Sequence, residues 1–311
     1  MATQAPLQPG TSIALTPLAE SPGAFRIGGL SSPHKVRYFN SLFYGAPGCG
    51  ETTLTGSAVD VPEMNDILLV AAEGGELVLE DNPRIKRAHD IDVVRIERIE
   101  QLQKIFDFLQ LHCRLRDKDD EVELEKLQRK VFGIPAEVKL GGEGEFRIRK
   151  YKTIILDSLT EVEAHNLEKI LGLDEQGIDA GADLNVADYA AFRKNNNMIQ
   201  RIVRELRDLP IHFLCICAQK YSQDELKRFH YTPALTGKLV EQVQGFFDVV
   251  GWLVVGQATD ETGAGPRRLF VQPQAQPRAD AKCRLASYNK AFFDNPTMES
   301  ILGATGYIKR T

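Results

Sequence analysis

The residues best suited to chemistry lie between positions 45 and 53, in the run Gly45-Ala46-Pro47-Gly48-Cys49-Gly50-Glu51-Thr52-Thr53. Its glycines and hydroxyl follow the spacing G-x-x-x-x-G-K-[ST] at every position except the lysine. Backbone N–H groups of such a loop, with the start of a helix behind them, converge on a phosphate group, and Thr52 offers its hydroxyl to a magnesium ion. Glu51 reverses the charge where a lysine would meet the terminal phosphates. At about 4 Å and an effective dielectric of about 20, one charge pair is worth roughly 4 kcal/mol, so the reversal costs several powers of ten in affinity. Either the loop is disabled or another cation fills the gap.

Further reactive side chains stand at the ends of apolar runs. Asp157 follows Ile154-Ile155-Leu156, where a carboxylate orders magnesium and its water shell or, alternatively, caps the next helix. Glu73 follows the run 66–72 (DILLVAA) and is placed either to polarise an attacking water or to sit as a turn carboxylate beside Gly74-Gly75. Gln219 closes the run 211–218 (IHFLCICA), where an amide could sense a terminal phosphate and pass its presence to the loop 220–238. Lys220, Lys227 and Arg228 in that loop could pair with phosphates while Tyr221, Phe229 and Tyr231 stack on bases of single-stranded DNA. The competing reading is a solvated loop with one or two anchoring aromatics. Lys282 and Arg284 flank Cys283 on one side of an extended segment, fit either to reach a neighbouring subunit's nucleotide or simply to face solvent. Cys215 and Cys217 share a strand face and read as core.

The elements that must position these residues can be read from periodicity. Continuous apolar runs at 66–72, 151–156 and 211–218, with a β-like stretch at 36–44, predict strands buried on both faces, and 252–255 and 268–271 predict later strands. Helices are expected from Glu51 to before Pro62, over 100–131 as one long element, over 160–171 and over 189–209. The charged half of the long helix, 114–130, reads as a solvated protrusion. This alternation predicts a mainly parallel sheet with helices on both faces, and puts Gly45, Glu73, Asp157 and Gln219 at the carboxyl ends of strands. Residues 1–36 read as a flexible arm, 37–295 as the core with 100–150 as a helical, charged insertion, and 296–311 as a C-terminal tail.

With 311 residues, 43% of them hydrophobic, the chain can bury one large α/β core. A net charge of -5 argues against wholesale coating of nucleic acid but leaves room for a local basic groove. Five scattered cysteines without zinc-ligand spacing predict a reducing compartment and no metal cage. The N-terminus lacks the pattern of a signal peptide, and no apolar run is long enough to span a bilayer, so a cytoplasmic protein without a membrane partner is expected.

The order of motifs over residues 38–290 resembles the RecA-like P-loop ATPases, and among them the phage nucleotide-binding proteins that act in single-strand annealing or recombination. The resemblance rests on GAPGCGETTL, AAEGGE, TIILDSLTE, CAQKY, PALTGKLVEQVQGFFDVVGWL and AKCRL. It implies a RecA-like P-loop NTPase core, with ATP held by residues 45–53 and Mg2+ held by Thr52 and Asp157. It also implies Glu73 as the base, and Lys282 and Arg284 as a trans-acting pair in a ring or filament. The implied function is that of an ATP-binding recombination protein that binds single-stranded DNA and promotes annealing or strand exchange, in a host cytoplasm for a phage-encoded chain, with hydrolysis impaired by Glu51. The alternative is a nucleotide-independent oligomeric scaffold carrying a relic loop.

Overall fold

The computed structural model describes residues 38–80, 82–135, 147–173, 187–257, 265–284 and 290–307; the expected arm at 1–36 lies outside them. The first half of the chain forms β1 (Asn40–Gly45), α1 (Glu51–Gly56), β2 (Ile67–Ala71), β3 (Ile91–Arg95), α2 (Ile99–Asp117), α3 (Glu121–Phe132), β4 (Thr153–Asp157) and α4 (Leu159–Leu171). Then follow α5 (Tyr189–Asp208), β5 (His212–Gln223), β6 (Phe229–Pro233), α6 (Leu239–Gln244), β7 (Val249–Val255) and β8 (Arg267–Phe270). Short strands β9 (Gln274–Ala275), β10 (Arg278–Ala279), β11 (Lys282–Cys283) and β12 (Phe292–Asp294) precede α7 (Met298–Thr305).

The main sheet runs β12-β8-β7-β1-β5-β4-β2-β3. Strands β7, β1, β5, β4, β2 and β3 are parallel, whereas β8, β11 and β12 add antiparallel pairing at one edge. Because side chains alternate along a strand, each buried strand feeds two cores. Leu42, Leu68, Ile154, Leu156, Phe213 and Cys215 face α2, α4, α5 and α6, while Phe43, Leu69, Ile155, Leu214 and Ile216 face α1 and α7. The result is an α/β fold of RecA-like type with helices on both faces of a mainly parallel sheet.

Several expectations need correction. The single helix over 100–131 is two helices, because Asp119 adopts a left-handed φ of 56° and Asp120 then caps α3 by accepting from Glu123 N. The stretch 114–130 is anchored rather than free: Leu124 and Gln128 are buried, and Gln128 exchanges hydrogen bonds with the Arg149 backbone. The third apolar run does not stop at Gln219; β5 continues to Gln223 and pairs with β6, so the expected loop begins as a hairpin. Residues 298–305 of the expected tail form α7, whose Met298, Ile301 and Leu302 are buried.

Candidate phosphate-loop site

Parallel pairing brings Gly45 level with Ala218 of β5 and Leu253 of β7, so the loop leaves the sheet at its carboxyl edge. A Cβ at Gly45 would fall 2.5 Å from Leu253 O and 2.6 Å from Glu51 Oε1, which excludes any larger residue. The loop then turns through Gly48 (φ 82°) and Gly50 (φ 100°), conformations open to glycine, before α1 starts at Glu51.

Glu51 does not extend into solvent. Its Oε2 accepts from Gly50 N at 3.1 Å, so a carboxylate is seated on the loop's own donor. Burial pushes its pKa up to about 7; hydrogen bonds from the Glu51 and Gly50 N–H groups offset part of this, while the charges of Asp157 and Glu73 add to it. Thr52 Oγ1 donates to Asp157 Oδ2 at 2.8 Å, bringing the two expected metal ligands together. Asp157 is buried at the end of β4, and its pKa rises to about 6, chiefly from burial, with Thr52 opposing and Glu73 and Glu76 reinforcing. The turn after β2 overhangs this pair: a Cβ at Gly75 would lie 3.7 Å from both Asp157 Oδ2 and Thr52 Oγ1. Glu73 in that turn is exposed and accepts from Ser158 Oγ. Buried Glu76 is instead tied to Arg95 of β3.

Thr52 and Asp157 are hard oxygen donors that suit magnesium. Among the described residues no group of three or more His, Cys, Asp or Glu side chains is arranged to hold a metal by itself. An ion there would need phosphate oxygens or waters to complete its shell.

Gln219 sits beyond Ala218 on β5, and its Oε1 accepts from Trp252 Nε1 at 2.7 Å. Trp252 belongs to a row of rings running from the hairpin across the sheet edge: Tyr221, Phe229, Tyr231, Trp252, Phe270 and Phe292, with neighbouring centroids 5.1 to 6.2 Å apart. Tyr221 is 66% exposed and Phe229 42%, whereas Trp252 is buried. The hairpin cations are used unevenly. Lys220 Nζ donates to Leu235 O and Arg228 pairs with Asp224 at 2.7 Å, while Lys227 occupies the turn with φ 57°.

Lys282 and Arg284 lie beside β7, away from the loop. Both cap the carboxyl end of α6, Lys282 through Gln244 O and Arg284 through Gly245 O at 2.5 Å. Burial and the Arg284 charge lower the Lys282 pKa to about 8. Cys215 and Cys217 are fully buried on the face packed by α4 and α5.

One residue at the site had no signal in the sequence. Arg267, at the start of β8, donates from Nε to Cys49 O at 2.7 Å, although 218 positions separate the two. Only the antiparallel pairing of β8 with β7, opposite Val255, brings it to the loop.

The glycine loop entering α1, the paired hydroxyl and carboxylate, and the β7-β1-β5-β4-β2 order define a P-loop α/β domain of RecA-like type. The chain belongs to the AAA domain family, whose profile matches residues 38–285. No curated protein matches the chain. Among solved structures it is similar to the flagellar accessory protein FlaH from Methanocaldococcus jannaschii, with a TM-score of 0.40 and 8% identity over 82% of this chain and 84% of that one. It is also similar to the RadB recombinase, with a TM-score of 0.36 and 11% identity over 75% and 79%. Among the described residues no helix is long and apolar enough to cross a membrane.

Proposed function

We propose that this AAA-domain protein binds ATP at residues 45–53 and single-stranded DNA at the β5–β6 hairpin, and acts in annealing or strand exchange of the phage recombination type. The observation that carries the reading is the continuity of β5. One strand leads from Ala218, level with the loop, through Gln219 to the exposed Tyr221, with Phe229 on its partner strand. The Gln219–Trp252 hydrogen bond links the end of the nucleotide site to the ring row, a route by which phosphate occupancy biases the hairpin.

Thr52 and Asp157 would hold Mg2+, which when bound neutralises phosphate charge. The protein's own groups do the remaining work: loop N–H donors orient the phosphates, and Glu73 lies on the turn above to accept a proton from a water. The hairpin supplies stacking rings to bases, with Lys227 available to the backbone; Arg228 must first leave Asp224. Assembly into a ring or filament belongs to this reading, in which Lys282 and Arg284 leave the carbonyls at the end of α6 to meet a neighbouring protomer's phosphates. The test is fluorescence anisotropy of a labelled oligonucleotide with and without ATP and magnesium. ATP-dependent affinity, weakened by Phe229→Ala, supports the reading; DNA affinity that ignores both removes it.

The scaffold reading draws on a different observation, the Glu51 carboxylate already seated on Gly50 N. It predicts assemblies of one size with and without ATP, measured by light scattering.

A further inference from the structure

The structure presents a loop whose expected lysine is an acid, surrounded by Asp157 and Glu73, with Glu76 tied to Arg95. A polyphosphate entering there meets three carboxylates without a salt-bridge partner among the described residues. Among the described residues, one guanidinium touches the loop from outside α1. Arg267 lies against Gly50 so closely that a Cβ there would come within 2.7 Å of its Nε and 3.3 Å of its Cζ. Its Nε is spent on Cys49 O. Its two terminal amines make no hydrogen bond or ion pair with any described residue.

The position is built rather than incidental. Arg267 N donates to Asn295 Oδ1 at 3.1 Å, and Asn295 N donates to Arg267 O at 2.6 Å, so the backbone is clamped on one side while β7 pairs on the other. Gly45 is level with Leu253, and Val255, opposite Arg267, lies two residues further along β7. That offset, roughly 7 Å of strand, puts the arginine beyond the carboxyl edge where the loop's ligand sits. Arg268 next to it is paired with Asp294 at 2.7 Å and covers Phe292, which separates a structural arginine from one whose terminal amines no described residue engages. A guanidinium with two amines unengaged by any described residue fits phosphate oxygens in a planar, two-pronged contact that a lysine does not make.

We propose that Arg267 supplies the phosphate-directed cation that position 51 lacks, so that the anion site is completed from β8 instead of from the loop helix. The ligand class is a nucleoside triphosphate or inorganic polyphosphate, and the proposal rests on the phosphate-binding reading of residues 45–53.

The test is a titration calorimetry cycle with magnesium-ATP and with inorganic tripolyphosphate on the parent chain, Arg267→Met, Glu51→Lys and the double variant. Methionine keeps the aliphatic packing on Gly50 and removes the charge; melting curves confirm that each protein is folded, and Arg267→Lys serves as a second variant. The expected result is a loss of about tenfold or more for both ligands in Arg267→Met, partly restored in Arg267→Lys, and a loss below about threefold when Glu51→Lys already provides a cation. An arginine that merely latches Cys49 would lose the same factor in both backgrounds, and this overturns the proposal. Binding by Glu51→Lys but not by the parent also overturns it, while leaving the phosphate site intact. Absence of binding in all four proteins removes the phosphate site, and the proposal with it.

Discussion

Glu51 Oε2 accepts a hydrogen bond from Gly50 N at 3.1 Å, so the side chain standing in the lysine position is held by one of the donors a phosphate would use. An incoming ligand must both displace that carboxylate and tolerate its charge. These are separable costs, and different substitutions remove them.

Glu51→Gln is expected to raise ATP affinity by about tenfold or more by removing the charge, and Glu51→Lys by about a hundredfold or more by inverting it. Calorimetric titration with magnesium-ATP checks both. A glutamine variant that binds no better than the parent would mean that the repulsion is already neutralised.

The acids give the site a pH dependence. Glu51 titrates at about 7 and Asp157 at about 6, both raised first by burial, so anion binding should strengthen as pH falls through that range. Stability follows the same direction. Between the ordinary carboxylate value and about 7 the folded chain holds more protons than the unfolded one, so stability is lost as pH rises, by up to roughly 3 kcal/mol for Glu51. Glu51→Gln should therefore melt higher than the parent at about pH 8 and show little difference at about pH 4.5. Calorimetric scans at the two pH values test this, and an equal gain at both would assign the effect to packing.

Asp157→Asn retains an acceptor for Thr52 Oγ1 and removes a charge from a buried position. The expected outcome is a melting temperature at or above the parent's, together with loss of the extra stabilisation that magnesium adds to ATP. Thermal melts with ATP, with and without magnesium, separate the two effects. Magnesium dependence that survives the substitution would remove Asp157 from the metal site.

On the hairpin, Tyr221→Ala and Phe229→Ala should each weaken single-stranded DNA binding by roughly 1 to 3 kcal/mol, the usual worth of one stacking platform. Arg228→Ala should do less, because its guanidinium is engaged by Asp224 at 2.7 Å. Anisotropy titrations at several salt concentrations distinguish stacking from phosphate contacts, since only the latter change the salt dependence.

The buried strands were legible because 66–72, 151–156 and 211–218 are apolar on both faces, and the glycine spacing located the loop between strand and helix. Proximity of Thr52 to Asp157 also followed, since the loop after β1 and the end of β4 lie at the same carboxyl edge of the parallel sheet, with β5 between the two strands. Less visible was β3, whose residues are partly buried or exposed and include Asp92 and Arg95. The break between α2 and α3 depends on a left-handed aspartate within an otherwise helical text. Arg267 was beyond reach because its role comes from strand pairing across the sheet, and an arginine opening an edge strand resembles any surface cation.

The bond from Arg267 to Cys49 spans 218 residues, and that from Met298 N to Ser57 Oγ spans 241. At ordinary translation speeds of about 5 to 20 residues per second, the loop leaves the ribosome roughly 10 to 40 s before the arginine that fastens it. During that interval the nascent chain carries glycine-rich segment, acid and hydroxyl without their latch, and α7 is not yet available to close over α1. On the reading in which Arg267 completes the phosphate site, nucleotide binding should arise only after β8 has been synthesised.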